Sequence, residues 1–162
     1  MITLRPATLT EDADTVWAML EPVFRAGDTY CIDRDISREA ALGYWFGAPH
    51  SVFVAEEDGE ALGTYYLTPN QKGGGAHVAN CGFVTAPAAR GRGVARKMLE
   101  HGLKTARSRG FRAMQFNFVV ATNHRAVSIW KSYGFEVAGR LRGAFHHPEQ
   151  GYVDALVMYK TL

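Results

Sequence analysis

Arg90-Gly91-Arg92-Gly93-Val94-Ala95 places two glycines between guanidinium groups where a strand-like run ends at Pro87 and an amphipathic helix begins near Val94. A turn of this kind is suited to phosphate. Glycine lets the backbone approach a ligand closely, and the unpaired amides and dipole of a helix's first turn favour negative charge. Arg96 and Lys97 add charge at the same point. Two common phosphate cradles are excluded. A P-loop needs Lys followed by Ser or Thr after its last glycine, and Gly93 is followed by Val94 and Ala95. A dinucleotide fingerprint needs a small residue where Arg96 stands and an acid about 20 residues on, where the chain reads Gly110-Phe111-Arg112.

A second set of residues suits a small polar ligand. Val78-Ala79-Asn80-Cys81 and Gln115-Phe116-Asn117-Phe118 put two carboxamides, Asn80 and Asn117, on strand-like segments either side of the phosphate turn and its helix. Such groups orient an amine or take up a carboxylate without titrating, although an Asn in a strand also satisfies backbone. Proton acceptors elsewhere are His77, Tyr65, Glu56 and the pair His146-His147, which the sequence does not bring to one place. Cys31 and Cys81 are the only cysteines and form no paired motif, so no metal site is expected.

The elements that must position these groups alternate without linker or repeat. Ile2–Pro6 reads as a strand, followed by a helix capped at Thr10 with Val16, Met19, Leu20 and Val23 on its apolar face. Gly27–Ile36 is an irregular connector, and Ser37 caps a second helix through Phe46. Ser51–Glu56 and Ala61–Leu67 form a hairpin about Glu57-Asp58-Gly59-Glu60, and Pro69–Gly75 is a loop. His77–Thr85 leads into the phosphate turn. In the helix that follows, Val94, Met98, Leu99, Leu103 and Ala106 make the buried stripe and Gly110 the stop. Phe111–Val120 is the next strand, parallel to the previous one by a right-handed crossover. Asn123 caps a last helix, and strands Phe135–Leu141 and Tyr152–Lys160 close the sheet.

At 162 residues, with 47% hydrophobic and 21% charged side chains, the chain has the size and composition of one globular domain, 1–162. A net charge of +2 does not indicate an extended nucleic-acid surface. Met1 opens no charged-then-apolar leader and no apolar run approaches about 18 residues, so a soluble cytoplasmic protein without a membrane partner is expected.

Arg-x-x-Gly-x-Ala from Arg90 to Ala95, with its surroundings from Asn80 to Phe135, resembles the GNAT superfamily of N-acetyltransferases. The resemblance implies an α/β fold with a central, mostly antiparallel mixed sheet, a splayed parallel strand pair and about four flanking helices. It implies acetyl-CoA as cosubstrate and direct transfer to an amine in a ternary complex. Phe83, Val84 and Thr85 would then contact pantetheine, and Arg90, Gly91, Arg92, Gly93, Val94, Ala95 and Arg96 would cradle the pyrophosphate. Asn123-His124-Arg125-Ala126, running on to Gly134-Phe135, looks like the family's Asn-x-x-Ala…Gly-Phe segment, in which Asn123 would reach the pantetheine amides. Two positions depart from the family. The tyrosine with which many members protonate the leaving thiolate is replaced by Trp130, left to flank the thiol end, and the glutamate that some members use as base through water is replaced by Phe118. Scattered segments, among them Gly63–Asn70, His77–Asn80 and Tyr152–Ala155, are similar to the branch that acetylates azetidine-2-carboxylate, where asparagines hold the cyclic amino acid. The expected acceptor is a small amine or amino acid with Asn80 and Asn117 at the reacting end, and the expected assembly is a homodimer, as in many relatives. A protein N-terminus or lysine as acceptor, or a coenzyme-binding module without turnover, are the alternatives.

Overall fold

Residues of β2 (Ser51–Glu57) alternate between two cores, and this alternation sets the layering of the molecule. Phe53 and Ala55 join a cluster with Val94, Met98, Leu99 and Leu103. Val52 and Val54 join a second cluster with Val16, Leu20, Phe24 and Trp45. The structure, a computed structural model describing residues 1–162, is thus a seven-stranded sheet covered on both faces. Strands β1 (Thr3–Pro6), β2, β3 (Glu60–Pro69), β4 (Val78–Thr85), β5 (Ala113–Val120), β6 (Glu136–His147) and β7 (Gly151–Thr161) lie in the order β1-β2-β3-β4-β5-β7-β6. Only β4 and β5 pair in parallel. Helices α1 (Leu9–Ala26) and α2 (Arg38–Phe46) cover one face, and α3 (Val94–Ser108) and α4 (His124–Ser132) the other. This is the mixed α/β fold with four helices that the resemblance implies. No helix is long and apolar enough to cross a membrane.

Local chemistry accounts for the element ends. Thr8, not Thr10, caps α1: its hydroxyl accepts from Glu11 N at 3.3 Å, while its own N–H donates to the buried Asp12 carboxylate at 2.9 Å. Two threonines separated by one residue both look like caps, and the end of β1 selects the first. Ser37 caps α2 as expected. Trp45 then docks α2 on the sheet by donating Nε1–H to Thr64, whose hydroxyl donates to Phe53 O at 2.9 Å. The last hairpin is longer than its apolar pattern indicates, because β6 continues past Leu141 to His147 over a bulge at Leu141/Phe145. Gly143, two residues past the expected end at Leu141, donates its N–H to Asp154 at 2.9 Å inside that bulge.

The position of α3 depends on Gly63. A Cβ there would meet Met98 Sδ and Val94 Cγ1 at 2.9 Å each. Without it the N-terminal turns of α3 press directly on β3, which fixes where the helix begins.

Candidate coenzyme and acceptor cleft

The site begins as missing hydrogen bonds. Strands β4 and β5 pair only at Val78↔Ala113 and Ala79↔Met114, then diverge for the rest of their length. On its other side β4 is fully laddered to β3, and Ala86 N donating to Leu62 O and Asn70 N to Val78 O set the alternation. By that alternation Asn80, Gly82 and Val84 bond β3, while the backbone groups of Cys81, Phe83 and Thr85 face the gap. Val84 lines the cleft too, but its backbone belongs to the ladder and its side chain is buried against α1 and α2, so it offers the gap no free backbone group. The Phe83 carbonyl already accepts the Tyr30 hydroxyl at 2.8 Å. The gap opens into a cleft of about 800 Å³ between β4, β5, α4 and the connector before α2.

At one end of the cleft lies the glycine turn. Gly91 and Gly93 have φ of 85° and 79°, which turn the chain into α3 without a Cβ cost. The amides of Gly91, Gly93, Val94, Ala95 and Arg96 donate to no group of the chain, so five N–H donors surround the turn. Arg90 and Arg96 border the cleft beside them. Arg96 also reaches Ser132 Oγ at 3.3 Å, bridging α3 and α4. Val94 is a core residue through its side chain and contributes here through its amide. Arg92 corrects the expectation for the turn. Its amide is spent on Ala89 O, and its guanidinium pairs with Glu57 at 2.9 Å and Glu60 at 3.4 Å, on the β2–β3 turn away from the cleft. The cation at that end that sequence reasoning did not assign is Arg125, whose guanidinium would lie 3.9 Å from a Cβ at Gly91. Its place one residue inside a helix that faces the turn was the available signal. Free amides plus three guanidinium groups match a diphosphate in charge and donor chemistry.

Along the floor, Asn123 caps α4 by accepting from Ala126 N at 3.3 Å, leaving Nδ2 without a partner in the chain. Trp130 is buried, its ring 5.2 Å from those of both Phe83 and Phe116, so it forms apolar wall where a phenol would stand in many relatives. Tyr133 does not replace it. Its hydroxyl donates to Glu100 at 2.7 Å on the outer side of α3.

The other end carries Asn80 and Asn117, on the sheet face covered by α1 and α2. Phe118 beside them contacts Phe145. The connector supplies the opposite wall with Asp28, Thr29, Tyr30 and Cys31, a role its irregular sequence conceals. Tyr44 and Tyr66 hydroxyls meet 3.0 Å apart at the same wall. Burial raises the pKa of Tyr30 and Tyr66 far above that of a free phenol, so both stay protonated donors. The remaining proton acceptors lie elsewhere: Tyr65 against His101, Glu56 on Arg5, His146 stacked on Tyr152, and His147 accepting from Glu149 and Gln150 amides. His77, exposed at the foot of β4, is outside the cleft as well.

Known proteins share this fold. The model of the acetyltransferase (GNAT) family matches residues 14–135. The N-acetyltransferase aca1 of Schizosaccharomyces pombe is 30% identical over 153 residues, covering 81% of this chain and 71% of the yeast protein. A GCN5-related N-acetyltransferase from Kribbella flavida superposes with a TM-score of 0.94 at 40% identity, over 99% of this chain and 98% of its own. The protein yncA of Salmonella typhimurium, solved with its cofactor acetyl-CoA, shares the fold at 21% identity and a TM-score of 0.85, over 100% and 94% of the two chains.

Proposed function

Because the chain belongs to the GNAT family of acetyltransferases and is an N-acetyltransferase that draws on acetyl-CoA, we propose that its acceptor is a small amine or amino acid, held by Asn80 and Asn117 while the acetyl group passes directly to nitrogen. The observation that carries this reading is the pairing of those two carboxamides at one end of the cleft, with free amides and guanidinium groups at the other. A cleft of about 800 Å³ shared with the pantetheine arm leaves room for a compact acceptor. The wall formed by the connector, Tyr44 and Tyr66 favours it over an extended peptide.

The chemistry asked of the chain is modest. Arg90, Gly91, residues 93–96 and Arg125 bind the diphosphate, and Asn123 Nδ2 reaches the arm. A gap-facing N–H of Phe83 or Thr85 polarises the thioester carbonyl and stabilises the charge that develops on its oxygen. Asn80 and Asn117 orient the acceptor so that a neutral nitrogen meets the carbonyl carbon. With Trp130 and Phe118 at the two departing positions, catalysis rests on positioning and oxyanion stabilisation, and a weakly basic amine needs least help in losing its proton.

Release of free thiol from acetyl-CoA across a panel of small amines, with azetidine-2-carboxylate and other proline analogues first, tests the reading. Asn80→Ala and Asn117→Ala are each expected to lower kcat/KM for the preferred acceptor about tenfold, as for a lost hydrogen bond to a charged group. Release stimulated by peptides but by no small amine, or unchanged kinetics in both variants, would overturn it.

A further inference from the structure

One chain of side-chain hydrogen bonds enters the cleft from outside it, and it consists of three carboxamides. Gln115 donates Nε2–H to Asn117 Oδ1 at 3.0 Å, and Asn117 donates Nδ2–H to Asn70 Oδ1 at 2.7 Å. Asn117 is exposed on β5 beyond the point where β4 diverges, so no neighbouring strand on that side confines it. Gln115, two residues earlier, shares its face of β5. Asn70 is the first residue after β3, and its backbone N–H donates to Val78 O at 2.8 Å, which ties it to the sheet where β4 begins. Asn70 itself does not line the cleft. Reversing every amide in the chain would exchange the nitrogen and oxygen sides of Asn117, yet it would still be held by both neighbours with one bond given, one taken, and one N–H free.

We infer that Asn70 is a positioning residue for the transfer reaction, holding the Asn117 carboxamide in the rotamer that aims its remaining N–H at the acceptor. This rests on the reading of Asn117 as an acceptor contact. Gln115 steadies the oxygen side of the amide and Asn70 the nitrogen side, so the segment after β3 takes part in acceptor binding without touching the acceptor. A carboxamide held from both sides presents one donor in one direction, which selects an oxygen of the acceptor for that place. Without Asn70, Asn117 rotates about χ1 and χ2 and its N–H must be ordered again each time an acceptor binds.

Steady-state kinetics of Asn70→Ala, Asn70→Leu, Asn117→Ala and the double variant Asn70→Ala/Asn117→Ala test this on the intact chain, with the best amine of the panel. Asn70→Ala and the near-isosteric Asn70→Leu are both expected to raise the acceptor KM about fivefold, the factor of one neutral hydrogen bond, with kcat, the acetyl-CoA KM and Tm unchanged. In the Asn117→Ala background, Asn70→Ala is expected to add nothing. Effects that multiply in the double variant would show that Asn70 acts on its own and overturn the inference, as would an unchanged KM in both Asn70 variants while Asn117→Ala raises it. A KM shift that only follows a fall in Tm would assign Asn70 a structural role and overturn it too. Should Asn117→Ala itself leave the acceptor KM unchanged, the reading of the acceptor site fails first and the inference falls with it.

Discussion

His101 Nδ1 lies 2.6 Å from the Tyr65 hydroxyl, and Tyr65 in turn stacks on Phe83, so a titratable ring is joined to the core beneath the reacting strand. Burial, and then the charges of Lys104 and Arg109, lower its pKa. A folded value below the unfolded one means that the unfolded chain takes up the proton first. The stabilisation is therefore whole above about pH 6.5 and is lost as pH falls from there through the lower folded value. Calorimetry between pH 7.5 and 5 is expected to show Tm declining on the acid side, and His101→Gln, which keeps a partner for Tyr65 but does not titrate, is expected to remove that step. Asp12 acts in a separate window: its bond to Arg5, the main cause, and that to Thr8 N hold its pKa below the usual 3.8, so its contribution fades only near and below about pH 4. The guanidinium groups around the turn divide in the same residue-specific way. Arg92→Ala is expected to leave the acetyl-CoA Kd unchanged in a binding titration, whereas Arg125→Ala is expected to raise it about tenfold, one charge-assisted hydrogen bond. Sequence could not make this distinction. The carboxylates that draw Arg92 away are Glu57 and Glu60, 35 and 32 residues earlier, and only the β2–β3 hairpin brings them to the turn.

Among the elements, the contact between α3 and β3 governs the coenzyme end. Gly63→Ala would place a methyl 2.9 Å from Val94 and Met98, and overpacking of this kind costs about 1–3 kcal/mol. Because Val94 is the first residue of α3, the helix start must shift with it, so the variant is expected to lose acetyl-CoA affinity as well as Tm. A glycine substitution that changed Tm alone would show that the turn holds its shape independently of the sheet. Elements were more legible than their ends. The stripe of Val94, Met98, Leu99, Leu103 and Ala106 is buried as its period requires, and Ser37 and Asn123 cap the helices that follow them. Thr10 and the far half of β6 were not legible. One depends on which of two threonines β1 leaves in extended conformation, the other on an acidic partner, Asp154, across a bulge. Which backbone groups of β4 face the gap is also settled by pairing with β3, so Phe83 and Thr85 cannot be told from Val84 by residue type.

At the scale of the whole molecule, the sheet is two blocks, β1–β4 and β5–β7, laddered to each other at only two register pairs. A ligand that spans the gap bonds both blocks at once, and only in the folded state. Acetyl-CoA at about 100 times its Kd is expected to add about 2.7 kcal/mol of stability, which a thermal melt would register as a rise of roughly 5–10 °C for a chain of this size; adenosine diphosphate, which carries the diphosphate without the arm, is expected to give less. The same opening has a consequence for lifetime, if the folded state is what resists degradation. An idle molecule, without the bonds a ligand makes across the gap, exposes its backbone to proteases more often than a loaded one. Scarcity of the acyl donor would then shorten the protein's lifetime as well as slow its reaction, tying cellular abundance to metabolic supply with no dedicated regulatory site.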